Sequence, residues 1–176
     1  MKDSASSIAR PVLDIPAIAR TRRNHGLEHA TLHILAQRHP HIPLAGHSDA
    51  GGFWVLGDIS IEDVQAAVEE ALSRLRAGEQ RLAIHPNCGT NFATAGVLAG
   101  LAAGAAMLGG RSKRDRIERL PLAALMATLA LIVAQPLGTL IQEQITTSGN
   151  PGELRVIEIV VNRRGRWRAH RVVTRS

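Results

Sequence analysis

The sequence predicts an α+β protein: a small mixed domain, a two-helix transmembrane hairpin and a C-terminal β-hairpin. Three observations predict it. Two neighbouring runs, Phe92 to Gly110 and Leu120 to Ile141, carry no charge over 19 and 22 residues. Ahead of them, apolar residues recur with helical period between segments rich in Gly and Pro. Behind them, two partly alternating stretches flank the polar turn Asn162-Arg163-Arg164-Gly165.

In chain order, residues 1–13 are small and polar and read as a flexible tail. Residues 14–91 read as the small α+β domain, a candidate metal-binding unit. Its first helix is expected to start at Asp14 as N-cap, with Pro16 in the first turn, and to run to about Arg38. His39-Pro40 and Pro43 would end it. His25, Glu28, His29, Leu32 and Leu35 share one face, and Leu27, Thr31 and Ile34 the other, so both sides are expected to be covered.

Ser48-Asp49-Ala50-Gly51-Gly52 reads as a turn before a short strand at Phe53 to Leu56. Ser60 is placed to cap a second helix, with Glu62 and Asp63 favoured by its dipole. Val64, Ala67, Val68, Ala71, Leu72 and Leu75 form the apolar stripe, and Gly78 ends it. Arg81 to Ile84 reads as a strand leading into His85-Pro86-Asn87-Cys88-Gly89-Thr90-Asn91.

Residues 92–141 form the hairpin, since a helix needs roughly 20 apolar residues to cross the hydrocarbon layer. Gly96, Gly100 and Gly104 repeat at a spacing of four, which lets two helix backbones approach closely in lipid. A homo-oligomer through this Gly-rich helix is therefore expected. Residues 142–153 are a polar linker, so 142–176 reads as linker plus β-hairpin.

Composition narrows the function. Only 2% of the 176 residues are aromatic, so any core is built from Ala, Leu, Ile and Val. A single cysteine, Cys88, excludes an intrachain disulfide. No apolar run follows the first basic residues, so a cleavable signal peptide is not expected. The net charge of +6 suits nucleic acid or an anionic membrane surface. With two membrane helices, the basic hairpin Arg163, Arg164, Arg166, Arg168 and Arg171 points to anionic lipid headgroups, and nucleic acid is disfavoured. The basic connection Arg111 to Arg119 argues for a cytoplasmic loop, whereas Arg20, Arg22, Arg23, Arg74, Arg76, Arg81 and the free thiol argue for a cytoplasmic polar domain. The second placement is adopted.

Eight histidines is high for this length. His25-Gly26-Leu27-Glu28-His29 is H-x-x-E-H, which sets two imidazoles one turn apart on a helix, able to share one ion. Glu28 stands beside them and can take a proton from an activated water without being a ligand. His85 and Cys88, three apart in a turn, can face one ion, and thiolate with imidazole suits zinc ahead of other divalent metals. The blander reading of each residue alone is an interface histidine or a small buried thiol. His33 continues the staircase but drifts around the helix. His39, His41 and His170 read as solvated, and His47 and Asp49 as turn residues. Glu62, Glu69 and Glu70 read as a helix's polar face.

His25-Gly26-x-Glu28-His29, followed by His85-Pro86-x-Cys88-Gly89-Thr90 and an apolar helix, resembles the YqhQ-like predicted metal-dependent bacterial membrane proteins. There the motifs run H-G-A-E-H-K and H-P-R-C-G-T, so Leu27, Ala30 and Asn87 depart from the pattern. The chain is more similar still to a bacterial membrane family of unknown function sharing Asn24 to Thr31 and His85 to Asn91 almost unchanged. The resemblance spans roughly residues 20–110. It implies His25, Glu28, His29, His85 and Cys88 as the site and a multi-pass protein of the bacterial inner membrane, and it names no substrate.

Two functions follow. In the first, a membrane-anchored zinc-dependent hydrolase, perhaps a peptidase acting on a peptide or other small substrate, holds its ion with His25, His29 and Cys88 or His85, and Glu28 is the catalytic base. In the second, His25, His29, His85 and Cys88 close the shell of a structural or sensory ion with no catalysis. A third needs no metal, the histidines forming a buried polar network.

Overall fold

The computed structural model describes residues 11–176 apart from 111, 165 and 166, and the side chains of 163–167 are left aside. Residues 1–10 of the expected tail, Gly165 of the expected turn, and the Arg163, Arg164 and Arg166 side chains of the basic hairpin therefore lie outside the described residues. Two compact units divide the chain: the residues up to His85 together with Glu143–Ser176, and Pro86–Gln142.

The first unit is a mixed α+β layer. It contains helix α1 (Pro16–Arg38), strands β1 (Ala45–Asp49) and β2 (Gly52–Leu56), helix α2 (Ile61–Arg76), a 3-10 turn (Gln80–Ala83), and strands β3 (Arg155–Arg164) and β4 (Trp167–Arg175). All pairings are antiparallel, in the order β1-β2-β4-β3. The C-terminal hairpin thus joins an N-terminal one in a single sheet. Phe53 pairs with Val172 and Val55 with His170, and all four side chains are fully buried. Trp54 and Arg171 pair on the opposite face, with the guanidinium 5.4 Å from the indole centre. The core adds Leu27, Ile34 and Leu35 of α1, and Val64, Val68 and Leu75 of α2. Each such side chain contributes roughly 1.5–3 kcal/mol by leaving water.

Helix α2 forms as its sequence dictates. The Ser60 hydroxyl accepts from the Asp63 amide at 3.1 Å, all six stripe residues are buried, and Gly78 turns the chain at φ +98°. Helix α1 begins differently from expectation. Ile15 is its N-cap, without a side-chain bond, and Pro16 occupies the first turn, where its missing N–H leaves nothing unsatisfied. Asn24, fully buried, ties the helix to both hairpins: its amide donates to the Asp49 carbonyl at 2.8 Å and accepts from the Thr174 hydroxyl at 2.6 Å.

Three further expectations are corrected. Residues 45–49 form a strand, because the turn is confined to Ala50-Gly51. Residues 80–83 form a 3-10 turn, not a strand. His170 is not solvated: it sits on the inward face of a central strand.

The second unit is a helical hairpin, α3 (Gly89–Met107) and α4 (Lys113–Ile141), packed along each other. At 1.5 Å per residue α3 is about 28 Å long, enough to cross the hydrocarbon layer. Both helices are long and apolar enough to cross a membrane. Val97, Leu101, Ile132 and Val133 are each more than 60% exposed, a surface suited to lipid and unsuited to water. Helix ends are satisfied internally. The Arg119 guanidinium donates to the Ala106 and Leu108 carbonyls at 3.2 and 2.8 Å, and Ser112 with Asp115 forms a capping box. At the other end Gln142, fully buried, donates to the Asn91 amide oxygen at 2.6 Å. Gly138 provides the space, since a Cβ there would meet that oxygen at 2.6 Å.

Candidate metal centre

Two histidines of α1 are aimed by backbone carbonyls. His25 Nδ1 lies 2.9 Å from the Thr146 oxygen, and His29 Nδ1 lies 2.7 Å from the Ala83 oxygen. A carbonyl only accepts, so both Nδ1 atoms carry a proton, which makes Nε2 the nitrogen through which each ring would ligate. This is the outer-shell arrangement that orients ligating imidazoles. Their one-turn spacing brings the ring centres to 4.3 Å. The Ala83 carbonyl is available because residues 80–83 curl into a 3-10 turn. The Thr146 carbonyl comes from a π-helical turn, Gln142–Thr146, that ends the second apolar helix. Gly26 lets the following Ser148 carbonyl lie against α1 at a place where a side chain would collide with it.

Cys88 is the N-cap of α3, and its sulfur accepts from the Thr90 amide at 3.4 Å. Ligand atoms of His25, His29 and Cys88 all lie within 4.8 Å of one another. Two imidazoles and a buried thiol fit a divalent metal of borderline softness. The cluster is therefore able to bind a metal ion.

The structure sets His85 against two other histidines, its ring centre 5.5 Å from that of His29 and 4.7 Å from that of His33. Burial first, then the neighbouring His33 and His29, push its pKa down to about 4, so it is neutral at physiological pH. Glu28 is buried, and its carboxylate accepts a hydrogen bond from the Ser48 hydroxyl. Gly46, on the same inward side of β1, leaves the space that this carboxylate fills. His33 is the member that sequence reasoning discounted: its Nε2 bonds the Ile84 carbonyl at 2.8 Å, facing the same turn as His29. The continued spacing of four was the available signal.

The remaining polar candidates have structural work. Asp49 pairs with Arg171 at 2.8 Å, and that hydrogen bond, opposed by partial burial, holds its carboxyl below the usual range. Glu70 bridges Arg38 and Arg74, and Glu69 bonds Gln65. His39 stands 3.5 Å from Asp63. His170 donates through Nε2 to the Ile59 carbonyl at 3.1 Å, and its Nδ1 is buried with no partner among the described residues.

The fold and this cluster define a class: an α+β protein with two helices apolar enough to cross a membrane and a His/His/Cys group able to take a metal. The chain belongs to a family known as a domain of unknown function, DUF6391, whose model matches residues 20–159. It is 39% identical over 137 residues, 72% of its own length, to an uncharacterised protein of Picosynechococcus sp. (strain ATCC 27264 / PCC 7002 / PR-6). The match covers 65% of that relative's length. No solved structure matches the chain.

Proposed function

We propose that this protein is a membrane-anchored, zinc-dependent hydrolase, with peptides as its substrate class, and that it shares its site with the YqhQ-like proteins. The observation that carries this reading is the three-membered ligand group His25, His29 and Cys88, which leaves a fourth position open. A zinc ion there supplies Lewis acidity, polarising a substrate carbonyl and acidifying a water molecule. The residues do the rest. Thr146 and Ala83 hold the two imidazoles in the ligating tautomer. Glu28 would be the proton carrier, taking one proton from the attacking water as the new C–O bond forms and giving it to the departing amine nitrogen as the C–N bond breaks; in this structure its carboxylate is held by Ser48.

The hairpin is assigned to the bacterial inner membrane, as a multi-pass anchor, with the polar unit in the cytoplasm. Anionic headgroups are assigned to the basic C-terminal hairpin, of which the Arg168 and Arg171 side chains are described. A second copy is accommodated by Gly96, Gly100 and Gly104, beside which an added Cβ would meet nothing.

The test is metal analysis and peptide turnover by the full chain in detergent. Glu28→Gln is expected to keep zinc and lose turnover by at least ~100-fold, and His29→Ala to lose zinc. Turnover by Glu28→Gln at the wild-type rate removes Glu28 as the base, and no turnover by zinc-loaded wild type removes the hydrolase. A closed site is the rival reading, favoured by the 5.5 Å separation of His85 from His29. It predicts one bound ion, lost in His85→Ala, and no turnover in any variant.

A further inference from the structure

The site above leaves two neighbouring histidines unassigned, and they repeat its construction. Three successive turns of α1 each present an imidazole fixed by a backbone carbonyl: His25 on Thr146, His29 on Ala83 and His33 on Ile84. The third is reversed. His33 uses Nε2 for its carbonyl bond, so the nitrogen left to ligate is Nδ1, on the other side of the ring. An imidazole turned this way does not join His25 and His29 around one centre. It faces His85, whose ring centre is 4.7 Å away at an interplanar angle of 44°. Two imidazoles on one tetrahedral ion have their ring centres about 5 Å apart, given metal–nitrogen bonds near 2.0–2.1 Å. The His25–His29 pair of the first group is spaced at 4.3 Å.

We propose that His33 and His85 form a second divalent-metal position, beside the His25/His29/Cys88 centre and distinct from it. Two protein nitrogens leave the rest of the shell to solvent or substrate oxygens. A surface pocket of ≈ 440 Å³ lies on the His33 side of the pair, lined by His33, Ile84 and Glu79 and not by His85. Glu79 is engaged by Arg74 at 2.6 Å and is not needed as a ligand. The second position therefore binds more weakly than the first and exchanges more freely. It uses different residues from the hydrolase centre and stands or falls separately.

Cobalt(II) titration of the full-length protein in detergent tests it, because thiolate ligation gives an intense charge-transfer absorption that imidazole ligation lacks. Wild type is expected to take up two equivalents, the first with the thiolate band and the second without it. His33→Gln keeps a donor for the Ile84 carbonyl but removes the imidazole, and is expected to lose only the second equivalent. His29→Ala is expected to lose the banded equivalent and keep the other. Uptake by wild type of a single equivalent carrying the thiolate band, or of two equivalents by folded His33→Gln, overturns the second position and leaves His33 and His85 a simple ring contact. Loss of the thiolate band from wild type, with the His33-dependent equivalent retained, sinks the first centre and spares this one.

Discussion

Helices α1 and α3 invert each other. Helix α1 has charged and polar residues throughout, yet from Asn24 to Leu35 all but His25 and His33 are buried. Helix α3 is almost entirely Ala, Gly, Leu and Val, yet none of its residues is buried. In water this would be the wrong way round. The first helix tolerates burial because its polar groups are paired: Asn24, Glu28, His29 and Thr31 each have a bond in the first unit. The second tolerates exposure only where the surroundings are themselves apolar. The pair teaches that burial is set by what lies outside a helix as much as by its own residues.

Truncation in the water-facing unit tests one half of this contrast most strongly. Phe53→Ala removes the largest fully buried side chain and is expected to cost about 3–5 kcal/mol. Denaturant unfolding, followed through Trp54 in the same sheet, measures it. A loss under ~1 kcal/mol would mean that the inward sheet face is not a packed core.

A charge placed in the other unit comes next. Leu101 is 67% exposed, and Leu101→Arg is expected to disfavour membrane insertion by about 2.5–3.5 kcal/mol. An insertion assay reads this directly. If the variant inserts normally, or makes the protein more soluble without detergent, α3 faces water and the contrast collapses.

The smallest effect sharpens the comparison within the first unit, between a buried polar group that is fully paired and one that is half paired. Burial lowers the pKa of His170, the Ile59 carbonyl opposes that shift, and Arg168 adds to it. The folded pKa is thus below the unfolded value of about 6.5. Above that pH the group is neutral in both states and has no effect. As the pH falls below it, the unfolded chain takes a proton that the folded one refuses, so stability declines by at most ~1.4 kcal/mol per pH unit until the folded pKa is reached. His170→Gln keeps a donor for Ile59 and is expected to flatten that part of the acid limb. An unchanged slope would show that His170 is not the titrating group.

These contrasts explain what the sequence disclosed. Helix α2 was legible in full because cap, dipole, stripe and Gly78 agree, and the two apolar runs were legible by length. Strand β1 was hidden because its inward residues, Gly46 and Ser48, face a buried carboxylate, so the strand lacks apolar alternation. Residues 80–84 looked extended, but their carbonyls are spent on His29 and His33, contacts that periodicity does not encode. The basic connection was read only as a topology signal, yet Arg116 and Arg119 bond carbonyls at and just beyond the C-terminal end of α3. In the candidate centre, the H-x-x-E-H spacing and the sole cysteine were readable. The orientation of each ring was not, because it depends on carbonyls 51 to 121 residues distant.

The pairing of β2 with β4 has a consequence for how the protein is made. Gly52 to Leu56 finds its partner in Ala169 to Val173, which leaves the ribosome only after both apolar helices. Until Ala169 to Val173 has been made, Gly52 to Leu56 lacks its second neighbouring strand. The N-terminal portion of the sheet stays incomplete while the intervening apolar helices are synthesised. Chains cut short before Ala169 would present that unfinished edge to quality-control proteases.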